Sequence, residues 1–202
     1  MSGAFVAVVG ASGSGKDSVI GAARDLLADQ DESFVFPRRL ITRPVGAGED
    51  HLPVSEADFT RIESEGGFAL SWRAHGLAYG LPAAVVDAVR AGDVVVANVS
   101  RGVLNQLTER FERSAVIRVC VPEEQRRARL ARRGREADAE IQARMDRPDP
   151  APDTRIDLEI VNDGALEDAG RTLADFLRGI SPARQSAHIG RAAATPDGGC
   201  DA

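Results

Sequence analysis

Lys16 is the only lysine among 25 basic residues. It closes the run Gly10-Ala11-Ser12-Gly13-Ser14-Gly15-Lys16, which follows the apolar stretch Phe5-Val6-Ala7-Val8-Val9. The backbone N–H groups of such a glycine-rich loop can wrap phosphate oxygens, and a lysine at its end reaches the outer phosphates as a compact point charge. The wide planar fork of arginine would not fit that cradle. The chemistry this spacing points to is the grip on a nucleotide triphosphate; the bland alternative is an ordinary glycine-rich turn. Next in order are Asp17 and Ser18. The residue after such a lysine is ordinarily Ser or Thr, whose hydroxyl helps to hold Mg²⁺. A carboxylate can also ligate Mg²⁺, although unscreened it repels phosphate. Asp17 and Ser18 are therefore the metal candidates, with Asp17 acting through the ion or its waters. The alternative is that Asp17 only favours the first turn of a helix.

The elements that must carry this loop alternate along the chain. Residues 4–9 predict a buried strand, and 16–28 a helix with Val19, Ile20, Ala23, Leu26 and Leu27 at helical spacing. Phe34 to Ile41 reads as extended, 44–53 as loop, and Ser55 to Ser64 as a helix whose N-cap is Ser55 with Asp58 three positions on. Residues 68–80 form an aromatic, glycine-punctuated hairpin; Pro82 opens a helix ended by Gly92. Then come a strand at 93–99, a helix at 103–111, a strand at 115–121 and an arginine-rich helix from Pro122 to about Arg133. A second short helix at 136–145, a strand at 156–161 and a helix at 166–177 complete the series. Near-continuous apolar strands between helices mean a parallel sheet covered on both faces, with the ligand at its carboxyl edge. Two insertions stand apart: 34–80 as a small acceptor lobe and 133–155 as a mobile lid. The residues after Ser181 turn polar and small, without periodicity, and predict a disordered tail over 181–202.

At 202 residues the chain suits one domain, and its 43% hydrophobic content suffices for a core. The formal net charge of −6 argues against a nucleic-acid partner, so an anionic substrate must be captured by local arginines. Cys120, in an apolar run, reads as buried core; Cys200 lies near the polar end, and neither has metal-ligand spacing. That usage suits a reducing cytoplasm. No stretch approaches the length of a membrane span. The residues fix no oligomeric state, and a homodimer is compatible with them.

The loop at Lys16, Ile41-Thr42-Arg43, Gly48-Glu49-Asp50, Tyr79-Gly80, the arginines around 133 and Ile160-Val161-Asn162-Asp163 resemble the guanylate-kinase branch of P-loop kinases over about residues 3 to 180. A guanylate kinase reads its base with a glutamate and a serine; the corresponding places hold Leu70 and Leu81, and leucine cannot hydrogen-bond a base. The pattern is more similar to the ribose 1,5-bisphosphate phosphokinases, enzymes of phosphonate degradation. The telling pieces are Gly15-Lys16-Asp17-Ser18, Ile41-Thr42-Arg43-Pro44, Gly48-Glu49-Asp50-His51 and the stretch Trp72 to Pro82. The resemblance implies an α/β fold: a P-loop kinase three-layer sandwich with a parallel central sheet, a small acceptor-binding insertion and a mobile lid. It implies a kinase domain over 1–180, ATP and Mg²⁺, and transfer of a γ-phosphoryl group to the 1-phosphate of ribose 1,5-bisphosphate, a small phosphosugar.

A phosphate acceptor is already anionic near pH 7, its second pKa being about 6, so the reaction needs no strong base. Catalysis then reduces to aligning two charged groups and neutralising them. Lys16 and Mg²⁺ would hold the outer ATP phosphates, with the loop from Gly10 and Ala11 through Ser12, Gly13, Ser14 and Gly15 as their cradle. Arg43 would grip an acceptor phosphate through paired bonds. Arg38, Arg39 and Arg73 are candidates for the second phosphate. His51, Trp72, His75 and Tyr79 would line the acceptor pocket, against the plainer reading that a hairpin aromatic only packs. Arg126, Arg127 and Arg129 read as a solvated helix face, whereas Arg133 and Arg144 match lid positions that close over ATP. Asn162, by resemblance, faces the adenine; the alternative is a turn residue in Asn162-Asp163-Gly164. Three other functions compete: a nucleoside monophosphate kinase of relaxed base choice, a non-catalytic binding module of the same shape, and a kinase acting on a sugar hydroxyl.

Overall fold

Every apolar strand of the chain can bury both faces only if helices cover both sides, and that is the arrangement in the computed structural model, which describes residues 2–29, 34–46, 50–132 and 154–181. The main sheet is parallel, in the order β2-β7-β1-β8-β9. Its strands are β1 (Ala4–Val9), β2 (Phe34–Val35), β7 (Val94–Asn98), β8 (Ser114–Cys120) and β9 (Leu158–Val161). Side chains alternate along β1. Phe5, Ala7 and Val9 enter one cluster with Val85, Val89, Leu104 and Phe111. Val6 and Val8 enter the other, with Val19, Leu173 and Leu177.

The second cluster is roofed by α1 (Lys16–Leu27) and α6 (Leu166–Ile180). The two helices meet where Gly170 faces Ala22: a Cβ on Gly170 would overlap the Ala22 methyl. A glycine inside a helix costs about 1 kcal/mol against alanine, and here the close approach of two helices offsets it. The first cluster is covered by α3 (Ala84–Ala91), a 3₁₀ turn (Arg101–Gln106) and α4 (Leu107–Arg110).

A second sheet, in the order β4-β3-β6-β5, stands beside the first. It comprises β3 (Arg39–Ile41), β4 (His51–Pro53), β5 (Phe68–Ala74) and β6 (Leu77–Pro82). The β5–β6 hairpin turns on His75 and Gly76, whose φ values of 56° and 71° are the positive pair that a two-residue primed turn demands. The helix α2 (Glu56–Ser64) begins as predicted: the Ser55 Oγ accepts from the Asp58 N–H at 3.1 Å and donates to the Asp58 carboxylate at 2.7 Å. Among the described residues no helix is long and apolar enough to cross a membrane.

Several expectations are corrected. Phe34 to Ile41 is not one extended piece: Phe34–Val35 pairs with β7 in the main sheet, whereas Arg39–Ile41 belongs to the second. Residues 51–53, expected as loop, form β4, because β3 offers them a free parallel edge. Pro82 ends a strand rather than opening a helix. The helix expected over 103–111 is a 3₁₀ turn followed by one α-helical turn. Cys120 is half-buried, not core; burial, then the neighbouring Glu159, pushes its thiol pKa up. The expected helix at 136–145, nearly all of the 133–155 segment and the tail beyond Ser181 lie outside the described residues.

Candidate active site

The parallel strands all end at one edge, which carries the loop after β1, Asn98 at the end of β7 and Asn162 just past β9. The loop bends through Gly10, Gly13 and Gly15, with φ of 151°, 84° and 87°. Gly13 and Gly15 occupy the left-handed region that other residues enter at a cost. A side chain would also collide at Gly10 with the Val119 carbonyl and at Gly15 with the Asn162 carboxamide, and at Gly13 it would crowd Leu130 and Arg126. At Gly10 and Gly15 packing as well as φ therefore requires glycine. Lys16 opens α1, and its Nζ donates to the Gly10 and Ala11 carbonyls at 2.8 and 3.1 Å. This folds the ammonium back over the loop.

Ser14 lies at the heart of the turn, only 1% exposed. Its carbonyl accepts from Asn162 Nδ2 at 2.9 Å and from Arg129 at 3.5 Å, and Arg129 also donates to the Asn162 carbonyl at 3.0 Å. Asn162 is itself 5% exposed. Its amide is thus spent on the loop, which makes it a brace for the phosphate cradle. Arg129, read from the sequence as surface, belongs to the same brace. It sits on α5 (Glu123–Arg132), one turn after Gln125, whose amide reaches the Asp163 carbonyl at 3.5 Å. The Ser14 hydroxyl is buried without a hydrogen-bond partner among the described residues. A buried hydroxyl left in that state is costly, and a phosphate oxygen could accept from it.

Asp17 leaves the loop at the start of α1, mostly exposed. Its Oδ1 accepts from Asn98 Nδ2 at 2.7 Å and from Arg39 at 3.3 Å. Arg39 starts the second sheet, so this contact joins the loop to that lobe. Ser18 follows on the exposed side of α1.

Arg43 comes two residues after β3 and is held from two sides. The Thr42 N–H donates to the Ala78 carbonyl at 3.1 Å, and the Thr42 Oγ1 accepts from the Ala78 N–H at 2.8 Å. The His51 Nε2 stands 3.3 Å from the Arg43 carbonyl. A carbonyl only accepts, so this bond needs the proton on Nε2. His51 is 1% exposed. It therefore supports the arginine's backbone from the core and does not present its ring at the surface of a pocket. Arg38 donates to the His51 carbonyl at 3.0 Å and pairs with Asp50 at 2.6 Å.

The hairpin residues divide by strand alternation. Trp72 and Tyr79 are opposite each other and stack, ring centres 5.4 Å apart and planes 2° from parallel. Arg73 takes the other face. It forks onto Glu63 at 3.2 Å, approaches Glu56 at 3.6 Å and lies over the Phe59 ring. The Ser71 hydroxyl, donating at 2.7 Å, and then Arg73 hold the Glu63 carboxyl below its ordinary pKa, with burial opposing them. Arg73 is thus a strut between hairpin and α2, away from the loop–Arg39 contact. His75 is exposed at the hairpin tip. Leu70 and Leu81 face each other across the hairpin in the core, 1% and 0% exposed. Gly48, Glu49, Arg133 and Arg144 lie outside the described residues.

No family model matches the chain. Among curated proteins, it is 54% identical over 172 residues to the ribose 1,5-bisphosphate phosphokinase PhnN of Pseudofrankia inefficax, covering 85% of this chain and 88% of the relative. It is 45% identical over 176 residues to the protein of the same name from Rhodopseudomonas palustris, covering 87% and 89%. Among solved structures, a guanylate kinase from Anaplasma phagocytophilum superposes with a TM-score of 0.63 at 18% identity, over 90% of this chain and 87% of that one. That likeness shows the fold: an α/β guanylate-kinase-like P-loop kinase. With identity of this extent across nearly the whole length of its relatives, the chain belongs to the ribose 1,5-bisphosphate phosphokinase family.

Proposed function

We propose that the protein transfers the γ-phosphoryl group of ATP to the 1-phosphate of ribose 1,5-bisphosphate, releasing ADP and 5-phosphoribosyl 1-diphosphate. The observation that carries this reading is the phosphate cradle around Lys16 in a chain 54% identical to a ribose 1,5-bisphosphate phosphokinase over 85% of its length. The buried Leu70–Leu81 pair adds support against a base-reading kinase, since neither side chain can bond a purine.

In this reading the loop N–H groups up to Lys16, other than that of Ser14, which donates to the Ala11 carbonyl at 3.2 Å, take the β- and γ-phosphate oxygens together with the Ser14 hydroxyl. Lys16 exchanges its carbonyl contacts for the outer phosphates. The 1-phosphate, largely dianionic near pH 7, attacks phosphorus directly, and no side chain has to remove a proton. Arg43 fixes that phosphate in line, with His51 and Thr42 setting its backbone. Arg39 is the nearer candidate for the remaining phosphate, because it already stands between the loop and the second sheet. Trp72, Tyr79 and His75 bound the acceptor side, and Arg133 and Arg144 supply positive charge for the ATP phosphates. Asp17, Ser18 and Asn98 would hold Mg²⁺, which when bound would supply charge neutralisation at the phosphates. The donors near the loop (a carboxylate at Asp17, a hydroxyl at Ser18, a carboxamide at Asn98) are hard oxygen ligands that suit it. Small charged substrates of this kind and two cysteines without disulfide spacing fit a cytoplasmic enzyme.

The test is ADP release with ATP and magnesium, comparing ribose 1,5-bisphosphate with GMP. Turnover on the pentose far above that on GMP is expected. Brisk phosphorylation of GMP with none of the pentose would refute the reading and leave the nucleoside monophosphate kinase in its place.

A further inference from the structure

We infer that Asp17 and Asn98 act as one unit in holding the divalent cation that accompanies the nucleotide, with the usual duties transposed between loop and strand. The inference rests on the nucleotide-binding reading of the loop and adds to it a residue, Asn98, and a division of labour.

In nucleotide loops of this type a hydroxyl next to the lysine and a carboxylate at the end of a neighbouring strand together hold Mg²⁺. Here the loop position carries the carboxylate, Asp17, and the strand end carries a neutral carboxamide, Asn98. The tertiary structure brings the two into contact, Asn98 Nδ2 donating to Asp17 Oδ1 at 2.7 Å. Electrostatics explains why the exchange must involve both positions. Two carboxylates at that distance, beside a triphosphate, would repel each other and the nucleotide. One carboxylate and one amide keep the single negative charge of the ordinary arrangement. The amide also orients the carboxylate: with Oδ1 taken by Asn98, Asp17 Oδ2 and Asn98 Oδ1 make no bond among the described residues and are both hard oxygen donors. Arg39, 3.3 Å from the same Oδ1, supplies counter-charge; because Asp17 is 67% exposed, that ion pair is weak and a cation can displace it. A second observation in the same loop points to a ligand: the Ser14 hydroxyl is buried without a partner among the described residues.

The test measures binding, not turnover. Mn²⁺ serves as the probe, titrated in the presence of ADP and followed by electron paramagnetic resonance. ADP affinity in EDTA is measured alongside, with wild type and the variants Asp17→Asn, Asn98→Ala and the double exchange Asp17→Asn/Asn98→Asp. Asp17→Asn is expected to weaken Mn²⁺ by about 10- to 100-fold, the range typical of lost metal or supporting ligands. Asn98→Ala is expected to weaken it by about tenfold. In EDTA, Asn98→Ala should leave ADP affinity unchanged and Asp17→Asn should if anything tighten it, because the unscreened carboxylate repels phosphate; a merely structural role would weaken ADP in both. The double exchange should recover most of the loss, since it keeps one carboxylate beside one amide and returns the carboxylate to the strand end. An exchange variant no tighter for Mn²⁺ than Asp17→Asn, or an Asp17→Asn protein that binds Mn²⁺ like wild type, overturns the inference while the nucleotide reading stands. Failure of wild type to bind ADP in either condition overturns both.

Discussion

Replacing Asn162 by leucine tests whether the phosphate loop is held in shape from behind. Leucine nearly matches the carboxamide in shape and removes its donor. The Ser14 carbonyl then keeps only Arg129 at 3.5 Å, the limit of a hydrogen bond, in a residue 1% exposed. Leaving a buried carbonyl so poorly satisfied costs about 1–3 kcal/mol. In a chain of this size each kcal/mol lowers the melting temperature by about 2–4 °C, so a loss of about 2 kcal/mol gives a drop of roughly 4–8 °C. The loop should also relax, because the 2.9 Å bond from Asn162 to the Ser14 carbonyl that ties it to the end of β9 is gone. A loop less organised before binding should lose about tenfold in ATP affinity, equivalent to about 1.4 kcal/mol, with the acceptor KM little changed. Asn162→Asp should do worse, since it sets a carboxylate against the Ser14 carbonyl and near the nucleotide phosphates. Calorimetric melting and ATP titration read both effects. An Asn162→Leu protein that melts within about a degree of wild type and binds ATP equally would refute the brace.

Lys16→Ala should lower kcat by at least about a hundredfold, as does the loss of one preorganised donor to developing charge. Lys16→Arg should not rescue it, because Nζ sits 2.8 Å from the Gly10 carbonyl in a space made for a point charge. Arg43→Ala should raise the acceptor KM by about tenfold or more, a charge-assisted bond being worth about 1.5–3 kcal/mol; steady-state kinetics should find the ATP KM nearly unmoved. Gly80→Ala should destabilise by about 1–3 kcal/mol, because its methyl would drive into the Phe68 ring and push it off its stack on Phe59; thermal melting reads it. The lowered pKa of Glu63 carries a sign. Its stabilisation relative to Glu63→Gln is complete above the ordinary carboxylate range and fades as pH falls through the depressed folded value. Melting curves of the two proteins between about pH 6 and pH 3 should therefore converge toward the acid end; a gap that widens there would sink the assignment.

Much of this protein is written locally. The glycine spacing before Lys16 and the apolar runs at 4–9, 94–98 and 114–120 depend on neighbours in the chain, and so do the Ser55 cap and the turn at His75-Gly76. Each follows from residues a few positions apart, so the loop, α1, α2 and the parallel sheet could be read without coordinates. What a side chain touches across the fold could not. Arg129 and Arg127 look alike in a charged helix, and only docking of α5 on the loop makes one a brace. His51 looks like a pocket residue until β4 pairs with β3 and buries it behind Arg43. Arg73 reads like Arg43 until α2 sets Glu63 beside the hairpin and pairs with it. Asp17 meets Asn98, 81 residues away, because parallel strands end at a common edge. Local periodicity determines which elements form; the desolvation and charge pairing that decide what each polar residue does arise only when distant elements come together.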